Sequence, residues 1–156
     1  MALGSFQNGR MDESETATAL QNHIQQMSTP FSPHYEQIGG EAGIRTLVDR
    51  FYDLMDTAPE ATAVRALHAT NLKVSREKLF LYLSGWLGGP PLYEEKFGHP
   101  RLRMRHFPFA IGVRERDEWI WCMETALAQH DMPEALRTEL VAKLRNVAWH
   151  MQNQPG

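Results

Sequence analysis

Apolar residues recur at helical spacing in four stretches of this chain. Between Gly43 and Asp56 they are Ile44, Leu47, Val48, Phe51, Leu54 and Met55, a stripe wide enough for a core-facing helix. Tyr52 lies beside that stripe, four residues after Val48. A second helix is predicted from Ser75 to Leu87, with Ser75 as N-cap or first-turn residue and Leu79, Phe80, Leu83, Trp86 and Leu87 as its apolar face. From Arg116 to His130, Trp119, Cys122, Met123, Ala126 and Leu127 follow the same rule, so Trp119 is expected to point inward and Trp121 to fall off the stripe. Pro133 is expected in the first turn of a last helix, with Leu136, Leu140, Val141, Leu144, Val147, Ala148 and Met151 down one face. No segment alternates with period two. The pattern predicts an all-α protein of roughly five or six helices.

Glycine and proline mark the corners. Gly39-Gly40 and Gly88-Gly89-Pro90-Pro91 break regular structure and let segments approach closely. Residues 57–72 read as a connector that contains His68, and residues 92–99 as a loop. Pro100 suits a helix start and Pro108 disfavours helix at Phe107, so a helix of about two turns is predicted to end near His106. Residues 1–32 are polar, with only Leu20, Ile24 and Met27 spaced for a weak amphipathic helix. They read as a flexible N-terminal extension ahead of a domain over 33–156.

Composition narrows the classes. With 156 residues, 42% hydrophobic and 22% charged, the chain is long and apolar enough for one sizeable core. A formal net charge of -3 argues against nucleic acid as a partner, so the arginines at 101, 103 and 105 need a local counter-ion. The lone cysteine, Cys122, rules out an intramolecular disulfide and a cysteine metal cluster. No long apolar segment suggests a leader or a membrane span, and a cytoplasmic location is the default expectation.

No phosphate-binding loop and no H-E-x-x-H motif is present. Cys122 lies mid-helix on an apolar stripe, where a thiol packs rather than reacts. Glu94-Glu95 and Glu115/Asp117 fall in loops or helix starts, where solvation or capping explains them. What remains is a set of amphipathic side chains on apolar helices: Tyr52, His68, Tyr82, Trp86, Trp119 and His106. Singly, each has an ordinary account. Tyr52 fits a core edge, His68 an exposed loop, and His106 a helix C-terminal cap. Together they suit an apolar pocket whose few polar groups face one small ligand. His106, between aromatic residues and beside cations, is also a candidate metal ligand, and haem has the matching iron centre and carboxylate edge.

The sequence resembles the group II truncated haemoglobins over about residues 34–154. The resemblance rests on Tyr35-Glu36-x-Ile38-Gly39-Gly40, Arg50-Phe51-Tyr52, Gly88-Gly89-Pro90, the run Gly98-His99-Pro100-Arg101-Leu102-Arg103-Met104-Arg105-His106, and Glu115-Arg116-Asp117-x-Trp119. It implies a globin-like, two-over-two helical sandwich around haem b. It implies His106 as the proximal iron ligand, its other ring nitrogen donating to a carbonyl. Tyr52, Trp119 and His68 match distal positions, with Ser75 and Leu79 as gate and floor. Lys78, Tyr93 and Arg105 match positions near the haem carboxylates. Relative to some relatives, a single-residue gap falls between His68 and Ser75.

The function so implied is binding of dioxygen and other small diatomic ligands, with Tyr52, Trp119 and His68 slowing their release. Two alternatives remain open from sequence. One is redox turnover of peroxide or nitric oxide with an external reductase. The other is a sensor or electron carrier in which Tyr52 or His68 itself binds iron. Either a monomer or a homodimer fits the sequence.

Overall fold

The computed structural model describes residues 33–155, and the expectations for residues 1–32 lie outside them. Eight α-helices are found among the described residues: α1 Pro33–Gln37, α2 Gly40–Thr57, α3 Thr62–Ala66, α4 Lys73–Trp86, α5 Leu92–Phe97, α6 Leu102–His106, α7 Val113–Ala128 and α8 Glu134–Met151. A 3-10 turn, Pro59–Ala61, precedes α3. No strand occurs among the described residues.

The four periodic stretches form the four long helices. Helix α2 packs on both α4 and α7, and α7 packs on α8. The result is a two-over-two sandwich with one core. That core joins Ile44, Leu47, Val48, Phe51 and Met55 of α2 to Phe80 and Leu83 of α4, Cys122, Met123 and Leu127 of α7, and Leu136, Leu140 and Leu144 of α8.

The glycine corners have steric causes. Gly39 and Gly40 both take positive φ, 106° and 63°, a region that other residues rarely adopt. At Gly89 an added Cβ would sit 2.2 Å from the Tyr35 ring, so the corner after α4 closes on that aromatic only without a side chain.

Three boundaries differ from the sequence reading. The expected loop 92–99 contains α5, whose buried Tyr93 packs edge-on against Tyr82 at 6.4 Å between ring centroids. The connector 57–72 contains a 3-10 turn and α3. The histidine helix begins at Leu102 rather than Pro100, because Arg101 adopts the left-handed region (φ 45°) and cannot continue a helical turn. The His106 end of that helix falls where the Pro108 argument puts it.

Candidate functional site

Helix α6 is short, and its neighbours hold it in place. Arg103 donates to the His150 carbonyl at 2.7 Å, and Arg105 Nε to the Pro100 carbonyl at 2.7 Å. The Asn153 amide nitrogen donates to the carbonyls of Phe109 (2.8 Å) and His106 (3.3 Å), while its oxygen accepts from the Ile111 N–H. The turn after His106 is therefore tied to the end of α8.

Within α6 the His106 ring is pinned through Nδ1, 2.7 Å from the Leu102 carbonyl one turn back. A carbonyl oxygen only accepts, so Nδ1 carries the hydrogen. The neutral ring then presents a bare Nε2 lone pair, the form a metal takes.

Tyr52 is buried on α2, its ring edge-on to Phe51 at 4.8 Å. Trp119 on α7 packs on the same Phe51 at 5.3 Å, which brings the phenol and the indole to one aromatic cluster. Neither the Tyr52 hydroxyl nor the Trp119 N–H takes part in any hydrogen bond among the described residues. Both can donate. Burial pushes the Tyr52 pKa up, with Arg76 pulling weakly the other way, so the phenol keeps its proton at neutral pH.

His68 joins the same cluster, its ring 5.9 Å from that of Tyr52. Its Nδ1 lies 2.9 Å from the Val64 carbonyl. Burial lowers its pKa; nearby Arg65 and His106 act in the same direction and the Val64 bond opposes them.

The remaining candidates divide. Ser75 lies in the first turn of α4, and Leu79 packs partly buried against the core. Lys78 is exposed, with Nζ 5.4 Å from the Phe97 ring centroid, and the Arg105 guanidinium lies 5.7 Å from that of Tyr93. Neither cation is ion-paired among the described residues. Tyr82, Trp86 and Tyr93 meet not at the Tyr52 cluster but in a groove of about 440 Å³ that also takes in His99, Arg101 and Leu102.

Several supporting residues were not singled out from sequence. Glu118 Oε1 accepts the N–H groups of Ala63 and Val64 at 2.8 and 3.0 Å, which caps α3. Arg65 bonds Asp56 and the carbonyls of His68, Ala69 and Thr70, stapling the corner that carries His68. In the Glu115-Arg116-Asp117 motif, Glu115 takes the Gly112 N–H at the start of α7, as its capping reading expects. Arg116 binds the Gln152 side chain at 2.6 Å and stacks on Trp149 at 3.9 Å, so it docks the chain's end rather than a ligand.

The fit to haem follows from these observations. Haem needs an imidazole with a free lone pair, an apolar surround and cations for its carboxylates. His106 supplies the first. Phe97, Met104, Phe107 and Phe109, on or beside α6 in the chain, leave apolar surface exposed. Lys78 and Arg105 are cations without a carboxylate partner. The residues fit the group.

Comparison with known proteins agrees with the geometry. A sequence profile described as "Bacterial-like globin" matches residues 33–153. The group 2 truncated hemoglobin YjbI of Bacillus subtilis is 37% identical over 128 residues, covering 82% of this chain and 94% of that protein. Among solved structures, a group II 2-on-2 hemoglobin from Agrobacterium tumefaciens superposes with a TM-score of 0.78 at 49% identity, covering 81% of this chain and 98% of the other. A truncated haemoglobin of Bacillus subtilis described as oxygen-avid gives 0.72 at 36% identity, covering 78% of this chain and all (100%) of the other. The two-over-two scaffold and these relatives place the chain in the group II truncated haemoglobins, a family of haem-binding, ligand-binding globins.

Proposed function

We propose that the protein holds haem b through His106 Nε2 and binds dioxygen reversibly, releasing it slowly. The observation that carries this reading is the pinned His106 tautomer together with two unused donors, the Tyr52 hydroxyl and the Trp119 N–H. When bound, haem would supply an iron able to take a diatomic ligand. His106 would anchor it, and the Leu102 carbonyl fixes the ring's orientation and tautomer. Lys78 and Arg105 would pair with its carboxylates, with Tyr93 beside Arg105. Leu79 gives an apolar floor and Ser75 stands at the α4 entrance.

A dioxygen ligand carries partial negative charge, which donors stabilise and acceptors do not. Tyr52 and Trp119 donate. His68 does not in its neutral form, because its only ring hydrogen is given to Val64. This changes its part from that expected from sequence: it is a third polar group, but it presents a lone pair. Two hydrogen bonds to a charged acceptor, each worth about 1.5–3 kcal/mol, favour retention over delivery. The Bacillus subtilis relative described as oxygen-avid supports that direction. A cytoplasmic location is part of the proposal, supported by the one cysteine, Cys122, being buried and free; no helix among the described residues is long and apolar enough to cross a membrane.

Stopped-flow displacement of dioxygen by carbon monoxide tests this. Slow release is expected from the haem-loaded protein. Rapid release, together with steady turnover of peroxide or of nitric oxide in the presence of a reductase, would replace the binding reading with an enzymatic one.

A further inference from the structure

Arg76 stands in the first turn of α4 and reaches across to α2. Its Nη1 donates to the Asp49 carbonyl at 3.0 Å and to Asp49 Oδ1 at 3.1 Å, and its Nη2 donates to Asp53 Oδ1 at 2.7 Å. Asp49 and Asp53 lie one turn apart on α2, and Tyr52, three residues after Asp49, borders that side of the helix. The Arg76 guanidinium lies 5.9 Å from the centre of the Tyr52 ring, within reach of cation–π attraction.

The three charges do not act on the phenol equally. The Arg76 side chain is 26% exposed, whereas those of Asp49 and Asp53 are 60% and 69% exposed. Water screens the carboxylates more than the guanidinium, so the phenol feels a cation. The pull of Arg76 on the Tyr52 proton, opposed to that of burial, has the same sign. A cation beside a phenol makes its O–H a stronger donor, and three bonds to α2 keep the cation in place.

Arg45 gives the contrast. It also ties α2 to α4, through Glu77 Oε1 at 2.7 Å, but its guanidinium stacks on Phe80 at 3.6 Å instead of on Tyr52. Joining the two helices and facing the phenol are therefore separable tasks.

We propose that Arg76 is a positioning residue for ligand retention: tied to Asp49 and Asp53, it holds α4 against α2 and keeps a cation on the Tyr52 ring, which sets the direction and strength of the phenol's hydrogen bond. This rests on Tyr52 donating to the bound ligand, as proposed above.

The test uses the full chain loaded with haem and reads dioxygen release by stopped-flow displacement. Arg76→Gln is expected to speed release by about three- to tenfold, the scale of coupling between side chains in contact. In a Tyr52→Phe background the same substitution should leave release nearly unchanged, because the group it acts through is gone. Arg76→Lys, which keeps the charge, should release more slowly than Arg76→Gln. Arg45→Gln, which cuts the other tie, should release as the wild type does. The infrared stretching band of bound carbon monoxide should shift in Arg76→Gln and stay in place in Arg45→Gln. If Arg76→Gln does not fold, the double variant Asp49→Asn, Asp53→Asn frees the guanidinium from the other side and should speed release in the same Tyr52-dependent way. Release unchanged in Arg76→Gln, sped equally with and without the Tyr52 hydroxyl, or matched by Arg45→Gln overturns the proposal. Release unchanged in Tyr52→Phe alone refutes the donor reading of Tyr52 first.

Discussion

Replacing Tyr52 with phenylalanine removes one oxygen and little else. The ring is buried against Phe51 at 4.8 Å and His68 at 5.9 Å, and phenylalanine fills the same space. No hydrogen bond among the described residues uses the hydroxyl, so the haem-free fold loses no partner. Removing a buried hydroxyl that has no protein partner should leave the stability of the haem-free chain unchanged or raise it by up to about 1 kcal/mol. The effect belongs to the ligand. One charge-assisted hydrogen bond contributes about 1.5–3 kcal/mol, equivalent to about 10- to 150-fold in rate. Tyr52→Phe should therefore speed dioxygen release by about that factor, measured by stopped-flow displacement, with the urea midpoint of the haem-free protein held or slightly raised. Trp119 supplies a second donor beside the same Phe51, so the gain should grow further in a Tyr52→Phe, Trp119→Phe double variant. Release unchanged in both single variants and in the double variant would refute the reasoning. A large loss of haem-free stability would show instead that the hydroxyl serves the fold.

Other outcomes follow from single residues. Gly43→Ala should destabilise the fold by about 3 kcal/mol in urea unfolding, because the new Cβ would meet the Ile38 carbonyl oxygen at 2.0 Å and that oxygen is already held by His130 Nε2 at 2.7 Å. Cys122 is buried, and burial pushes its thiol up to about 12 from 9.0. The folded state keeps the proton more tightly than the unfolded state, so stability from this group is whole below pH 9 and declines as pH rises from 9 towards 12. A thiol reagent at pH 8 should therefore label it only on unfolding. Lys78→Gln and Arg105→Gln should each speed haem transfer to an acceptor globin by about 1.5- to 5-fold, the scale of an exposed ion pair; unchanged transfer in both would move the carboxylates elsewhere.

The long helices were legible because each buries one face: Ile44 to Met55, Leu79 to Leu87, Cys122 to Leu127 and Leu136 to Ala148 all follow a 3.6-residue repeat. Helix α5 was not, because six residues with Glu94, Glu95 and Lys96 carry no repeat; what orders it is Tyr93 packing on Tyr82, a contact between distant segments. The late start of α6 was hidden for a local reason. Pro100 signals a helix start, but Arg101 takes the left-handed region, and Arg105 Nε donates back to the Pro100 carbonyl across that turn. At the site, residue types and spacing brought out His106, Tyr52, Trp119 and His68 as candidates. They did not disclose the tautomer of either histidine, which depends on carbonyls made available by helical geometry. The supporting groups Glu118, Arg65 and Asn153 were invisible for the same reason. Each acts on backbone atoms that no sequence pattern marks.

The most direct check on a haem held by His106 is hemin titration of the purified full-length chain beside a His106→Gly variant, followed by transfer of haem to an acceptor globin. One haem per chain is expected in the wild type. In the variant, haem loss should be faster by about two orders of magnitude, the scale on which metal sites respond to lost ligands and partners, and added imidazole should slow it again. Equal uptake, spectrum and retention in the two proteins, with no response to imidazole, would contradict the account.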